Sequence, residues 1–106
     1  MQTAAALDAL SALAQKSRLA LFRHLVQLGP GGATPGELAE ALGLAATTLS
    51  FHLKTLAQAG LIEAEQHGRS ITYRADFAAM QGLVDYLTEN CCGGDPARCA
   101  PRAARR

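Results

Sequence analysis

Apolar residues recur at helical spacing along most of the chain, and the period changes once. Residues 3–14 are rich in alanine and leucine, with Leu7, Leu10 and Leu13 three apart. Residues 17–28 carry Leu19, Phe22 and Val26 on one stripe, widened by Leu21, Leu25 and Leu28. Both patterns predict amphipathic helices. Gly29-Pro30-Gly31-Gly32 breaks the second. Thr34, Pro35 and Glu37 then spell a capping box with proline at the first helical position, where its missing N–H costs nothing. The short helix they open runs through Leu38, Ala39 and Leu42 to Gly43, a C′ glycine.

The next helix is predicted over residues 46–58, with Leu49, Leu53 and Leu56 as its apolar stripe and Gly60 as its end. A short helix, a tight turn and a second helix make a helix-turn-helix candidate. The other face of the second helix decides between this and an ordinary helical hairpin. After Ala46 it carries Thr47, Thr48, Ser50, His52 and Lys54. Short hydrogen-bonding groups of this kind suit base edges and phosphates in a major groove. A merely solvated face more often carries Glu and Lys pairs.

Beyond Gly60 the period falls to two. Residues 61–66 and 70–74 read as strands, with His67-Gly68-Arg69 as the turn between them. A hairpin directly after a recognition helix is a wing, and Arg69 at its tip can reach a minor groove or a phosphate. A last helix is predicted from Phe77 to about Asn90, with Phe77, Met80, Val84 and Leu87 on one stripe. In so small a domain this stripe and the first helix are expected to pair across a dimer interface. The fold expected is therefore mainly α with a small β-hairpin, a dimeric winged helix-turn-helix of about five helices and a two-stranded wing. Residues 1–92 form the DNA-binding and dimerisation domain, and 93–106 a C-terminal tail.

Composition narrows the function only slightly. The chain has 106 residues, 49% of them hydrophobic, enough for one small core. The net charge of +1 does not by itself announce nucleic acid, so that reading rests on the local features. No apolar run is long enough to cross a bilayer and no signal peptide is visible, which makes the cytoplasm the expected location. There, cysteines stay reduced, and clusters of them bind metals or do redox chemistry.

All three cysteines, Cys91, Cys92 and Cys99, lie within nine residues directly after the last helix. Adjacent cysteines make poor disulfide partners, because their Cα atoms stand only about 3.8 Å apart. Gly93-Gly94 and Asp95-Pro96 can bend the chain so that three thiols converge on one soft ion. Structural zinc wants four ligands. No histidine lies near the cluster, and Asp95 fits a turn better than a metal. A redox switch is the main rival. Against it, a helix C-terminus disfavours the thiolate, and Arg98 offsets this only in part. A cysteine-dependent arsenate reductase is more distant. Its nucleophile would sit beside an anion loop at a helix N-terminus, and His24, His52 and His67 show no pairing with a serine or cysteine.

The order of elements resembles the ArsR/SmtB family of metal-sensing winged-helix repressors. Ser17-Arg18-Leu19, Glu37 to Leu44, Thr47 to Leu56, Ala59-Gly60-Leu61-Ile62 and Gly68-Arg69 are similar to its pattern. The likeness covers residues from about 5 to 90. Three departures are informative. Leu38-Ala39-Glu40 stands where many arsenic sensors of the family carry Cys-x-Cys. Asp85 has no following histidine to complete the family's carboxylate and histidine zinc site on the last helix. Ala45 replaces the usual Ser or Thr cap, which weakens the start of the recognition helix by about 1 kcal/mol. What remains resembles the arsenical repressors whose trivalent arsenic site lies after the last helix. The resemblance implies a homodimer on double-stranded operator DNA, not an enzyme and not membrane-bound. It would be released when arsenite, or antimonite, binds Cys91, Cys92 and Cys99. A thiol redox sensor or a Zn, Cd or Pb sensor remains the alternative.

Overall fold

The first helix, α1 (Thr3–Leu13), buries alanine rather than leucine. In the computed structural model, which describes residues 1–99, Ala6, Ala9 and Ala12 face inward, three apart. Their small side chains let α1 lie close against α2 (Lys16–Leu28) and against the later recognition helix. Leu7 and Leu10 are left outside, 60% and 40% exposed. In α2 the buried face is Leu21, Phe22 and Leu25, while Leu19 and Leu28 point outward, so only part of the broad stripe is core. A 3₁₀ turn at Gly29–Gly31 ends α2.

Helix α3 (Pro35–Leu42) begins at the capping box the residues spell. The Glu37 amide donates to Thr34 Oγ1 at 3.3 Å, and the Thr34 amide donates to Glu37 Oε1 at 2.9 Å. Gly43 closes the helix in the left-handed region at φ 65°, as a C′ residue should. Helix α4 (Ala46–Gln58) follows, and Ala45 gives it no side-chain cap. Leu38 of α3 and Leu49, Leu53 and Leu56 of α4 are buried together with Leu21, Leu25 and Leu61.

Strands β1 (Ile62–His67) and β2 (Ser70–Ala75) pair antiparallel from Ile62 opposite Ala75 to His67 opposite Ser70. Gly68 takes φ 61° at the first of the two connecting positions, which a side chain would resist. Ala33, just before α3, makes a bridge to Tyr73 through two backbone hydrogen bonds of 2.9 and 2.8 Å. This clip fastens the wing to the helix-turn-helix.

Helix α5 (Phe77–Leu87) is capped by Asp76, whose Oδ1 accepts from the Ala79 amide at 3.0 Å. It stops three residues short of the expected Asn90. Thr88 donates its hydroxyl to the Val84 carbonyl at 2.8 Å, and Asn90 turns left-handed at φ 56°. A side chain that bonds the backbone locally competes with the helical ladder. Of the expected stripe, Phe77 and Met80 are half-buried, whereas Val84 and Leu87 are exposed; Leu83 is the buried residue of this helix. The tail is described through 3₁₀ turns at Cys91–Gly94 and Pro96–Arg98 to Cys99. The expected tail of 93–106 extends beyond this, and 100–106, with its basic stretch, lies outside the described residues.

Candidate functional site

Two sets of residues carry chemistry: the outer face of α4 with the wing tip, and the cysteine loop after α5. On α4, Ala46, Thr47, Thr48, Ser50 and Lys54 are all exposed. Arg69 stands at the hairpin end, also exposed, and is absent from the ion pairs among the described residues. Arg74 is spent differently. Its guanidinium holds Glu63 at 2.9 Å and Glu65 at 2.8 Å, sharing one positive charge between two carboxylates along β1.

His52 corrects the expectation for this face. It is 6% exposed and lies on the core side of α4. At about 100° per residue it falls about 140° from Thr47, which is nearer the buried stripe than the outer arc. Its Nδ1 is 3.5 Å from Arg18 Nη1. Burial, and then the Arg18 guanidinium, hold the imidazole below its usual titration range, so at neutral pH it is uncharged and Nδ1 can accept. Arg18 Nε in turn donates to the Ala12 carbonyl at 2.6 Å. One guanidinium thus ties the end of α1, the start of α2 and the recognition helix together. In the sequence Arg18 reads only as part of a helix opening. Its role depends on the end of α1 and on His52, 34 positions further along the chain.

Sequence reasoning also missed Phe51. It is 62% exposed on the outer face of α4. The signal was available in the helical phase, since Phe51 lies four residues after Thr47 and three before Lys54.

The cysteine loop folds back on itself. The Cys91 amide donates to the Thr88 carbonyl at 2.9 Å, which hangs the loop from the end of α5. Asn90, Cys92, Gly93 and Gly94 all take positive φ, from 55° to 85°. Glycine adopts this readily, but Cys92 does so against its Cβ. Asp95 accepts from the Ala97 amide at 3.0 Å, and Pro96 opens the second turn. The carboxylate caps that turn, as its place before Pro96 suggested. Cys99 then returns to the pair. The Sγ separations are 3.8 Å for Cys91 and Cys92, 3.7 Å for Cys91 and Cys99, and 2.7 Å for Cys92 and Cys99. All three are free thiols.

Three thiolates around one ion at about 2.3 Å, the zinc–sulfur length, stand roughly 3.4–4.0 Å apart. Two of the separations already match, and Cys92 and Cys99 need to open by about 1 Å. The Cys92 thiol is pushed up to about 12, first by its hydrogen bond with Cys99, then by desolvation and by Cys91. A helix C-terminus would raise a thiol in the same direction. Here α5 ends at Leu87, a full turn earlier. The dipole has faded over that distance, and the neighbouring sulfurs supply the effect.

Comparison with known proteins agrees with this architecture. A family described as a helix-turn-helix domain matches residues 13–65, from the end of α1 to β1. The HTH-type transcriptional regulator NmtR of Mycobacterium tuberculosis is 39% identical over 76 residues, 72% of this chain. The aligned part spans 61% of that relative's length. An ArsR-like transcriptional regulator from Rhodococcus sp. RHA1 superposes with a TM-score of 0.74 at 25% identity, covering 94% of this chain and 92% of its own. A homodimeric winged helix-turn-helix DNA-binding domain from Mycobacterium bovis, described as a possible ArsR-family regulator, superposes with a TM-score of 0.63 at 28% identity. That match covers 87% of this chain and 85% of the other. With five helices among the described residues, the exposed face of α4, and a wing in the expected order, the chain belongs to the helix-turn-helix domain family, and its winged-helix fold is similar to that of the ArsR-like regulators.

Proposed function

We propose that the protein is a homodimeric repressor that holds a two-fold operator and leaves it when trivalent arsenic binds Cys91, Cys92 and Cys99. The convergence of three thiols within 4.8 Å of one another carries the effector half of this reading. The exposed polar arc of α4 carries the DNA half, with Thr47, Thr48 and Ser50 at base edges, and Ala46 closing on the groove wall. Lys54 and Arg69 take phosphate or the minor groove. Leu7 and Leu10 of α1, with Val84 and Leu87 of α5, give a second copy of the chain an apolar face to cover. The protein is expected to act in the cytoplasm; no helix among the described residues is long and apolar enough to cross a membrane.

Thiol chemistry favours arsenic over divalent metals at this site. Arsenous acid condenses with three protonated thiols, forming three As–S bonds and releasing three waters, with no net proton. A divalent cation must expel a proton for each thiolate it takes. With Cys92 pushed up to about 12, that thiol is protonated throughout the neutral range. Arsenite should therefore bind about equally from pH 6 to 8. Cadmium should gain about tenfold per pH unit for each proton it displaces. Titrating a fluorescent operator complex with arsenite, cadmium and zinc at three pH values checks this. Release by zinc or cadmium but not by arsenite overturns the arsenic reading.

One observation favours a second reading. The 2.7 Å approach of Cys92 and Cys99 brings two thiols near bonding range, so a peroxide could convert them to a disulfide. The protonated state of Cys92 opposes this, since the thiolate is the nucleophile. Peroxide in the same titration separates the two, because a redox sensor is released by it and reset by a dithiol.

The wing has its own test. Replacing Arg69 with Ala should weaken binding to every duplex and lower the salt slope by about one unit. Replacing Thr47 or Ser50 should change sequence preference instead. An unchanged salt slope for the Arg69 variant removes the wing from the interface.

A further inference from the structure

Among the large apolar side chains of the described residues that lie exposed, Phe51 is the most exposed, at 62%. Leu7, Leu10, Val84 and Leu87 are open too, but they lie on α1 and α5. Those helices already touch, with Thr3 Oγ1 2.6 Å from Tyr86 Oη, and a second copy covers their shared face in the reading above. Phe51 belongs to a different surface. At about 100° per residue it lies within roughly 40° of Thr47 and 60° of Lys54, near the middle of the outer arc of α4. Around it the arc is polar: Thr47, Ser50, Lys54 and Gln58. An apolar ring at the centre of a polar recognition face is the one group there that gains by leaving water.

The ring is also steadied from below. Its centroid lies 5.7 Å from that of His52 at an interplanar angle of 60°, within the range of a tilted aromatic contact. His52 is itself buried and held by Arg18. Phe51 therefore projects from a fixed base.

The major-groove edges of the four bases offer hydrogen-bond donors and acceptors, with one apolar exception, the C5 methyl of thymine. A phenyl ring satisfies no donor or acceptor, so it discriminates against any base that leaves one unpaired beneath it. We propose that Phe51 is a specificity-determining residue that packs on the C5 methyl of one thymine in each operator half-site. This rests on the DNA-binding reading above, and it adds a residue and a base to it.

The test uses the whole 106-residue chain. A duplex is first selected from a random pool with wild-type protein. Each thymine in it is then replaced in turn by uracil, which removes only the C5 methyl. One thymine per half-site should weaken wild-type binding about fourfold when replaced, the loss for one buried methyl. Replacing both symmetric thymines should weaken it about fifteenfold. For Phe51→Ala the same uracil should change nothing, while Phe51→Leu should keep part of the penalty. Circular dichroism and sedimentation confirm fold and dimer for each variant. A flat uracil scan for the wild type overturns the inference, as does a penalty that persists in Phe51→Ala. A shift of Phe51→Ala toward monomer assigns the ring to a protein interface instead. Failure of the wild type to enrich any sequence is a different result, since it removes the DNA-binding reading itself.

Discussion

Serine at any one of positions 91, 92 or 99 should leave operator binding intact and raise the arsenite needed for release by at least about a hundredfold. Disturbing only an outer-shell partner of a metal costs 10–100-fold, and here a bond to the ion itself is lost. The three cysteines lie after α5 in the chain, outside α4 and the wing, so no residue of the reading face is changed. The three variants should behave alike, because a two-sulfur site bonds the ion through two bonds whichever sulfur is missing. X-ray absorption of the wild-type complex should show three sulfur neighbours, and of each variant two sulfurs with a lighter atom. Induction also demands a difference between states. Moving the operator complex from almost fully bound to almost fully free takes about a 10⁴-fold preference of the ion for the DNA-free form. Arsenite should therefore bind the free dimer much more tightly than the operator complex. Equal affinities would remove arsenite as an inducer, however tightly it bound. Release of the triple serine variant by arsenite at the wild-type concentration would remove the site.

The second large effect concerns the clip between the wing and the reading unit. Replacing Gly32 with Ala should destabilise the fold by about 3 kcal/mol and lower Tm by roughly 12–24 °C. Gly32 has φ 63°, and a Cβ there would lie 2.1 Å from the Tyr73 carbonyl oxygen, a backbone atom that cannot swing aside. The chain must then retreat and give up the two hydrogen bonds between Ala33 and Tyr73. The wing would lose its alignment with α4, so operator affinity should fall with stability. Replacing Gly36 with Ala is the matched control. A Cβ at that position meets nothing within 4 Å and φ is ordinary, so the helix should gain about 0.5 kcal/mol. Thermal unfolding at one fixed dimer concentration compares the two. A Gly32 variant that melts with the wild type would show that the loop can relax around the added methyl.

The legible parts of this protein are those decided within a few residues. Thr34, Pro35 and Glu37 close a capping box whoever their distant neighbours are, and Gly43, Gly60 and Gly68 mark turns because the backbone there needs positive φ. The bend of the cysteine loop was legible for the same reason, since Gly93, Gly94 and Asp95-Pro96 act locally. The likeness of the helix-turn-helix and wing to a known regulator family was legible as an order of such signals. What the sequence left open was which side of each helix faces inward. In α1 the alanines and the leucines both recur every three residues, and only contact with α2 and α4 selects the small ones for the core. In α4, His52 and Phe51 are adjacent in the chain, yet one is 6% exposed and the other 62%. A rotation of about 100° separates them, and the packing of α2 with Arg18 at its start decides which falls inside. The clip at Gly32 was set by Tyr73, 41 positions away. Local backbone preferences act through adjacent atoms and can be read along the chain. Burial is a competition among all faces for one small core, and it is settled only when the elements have packed.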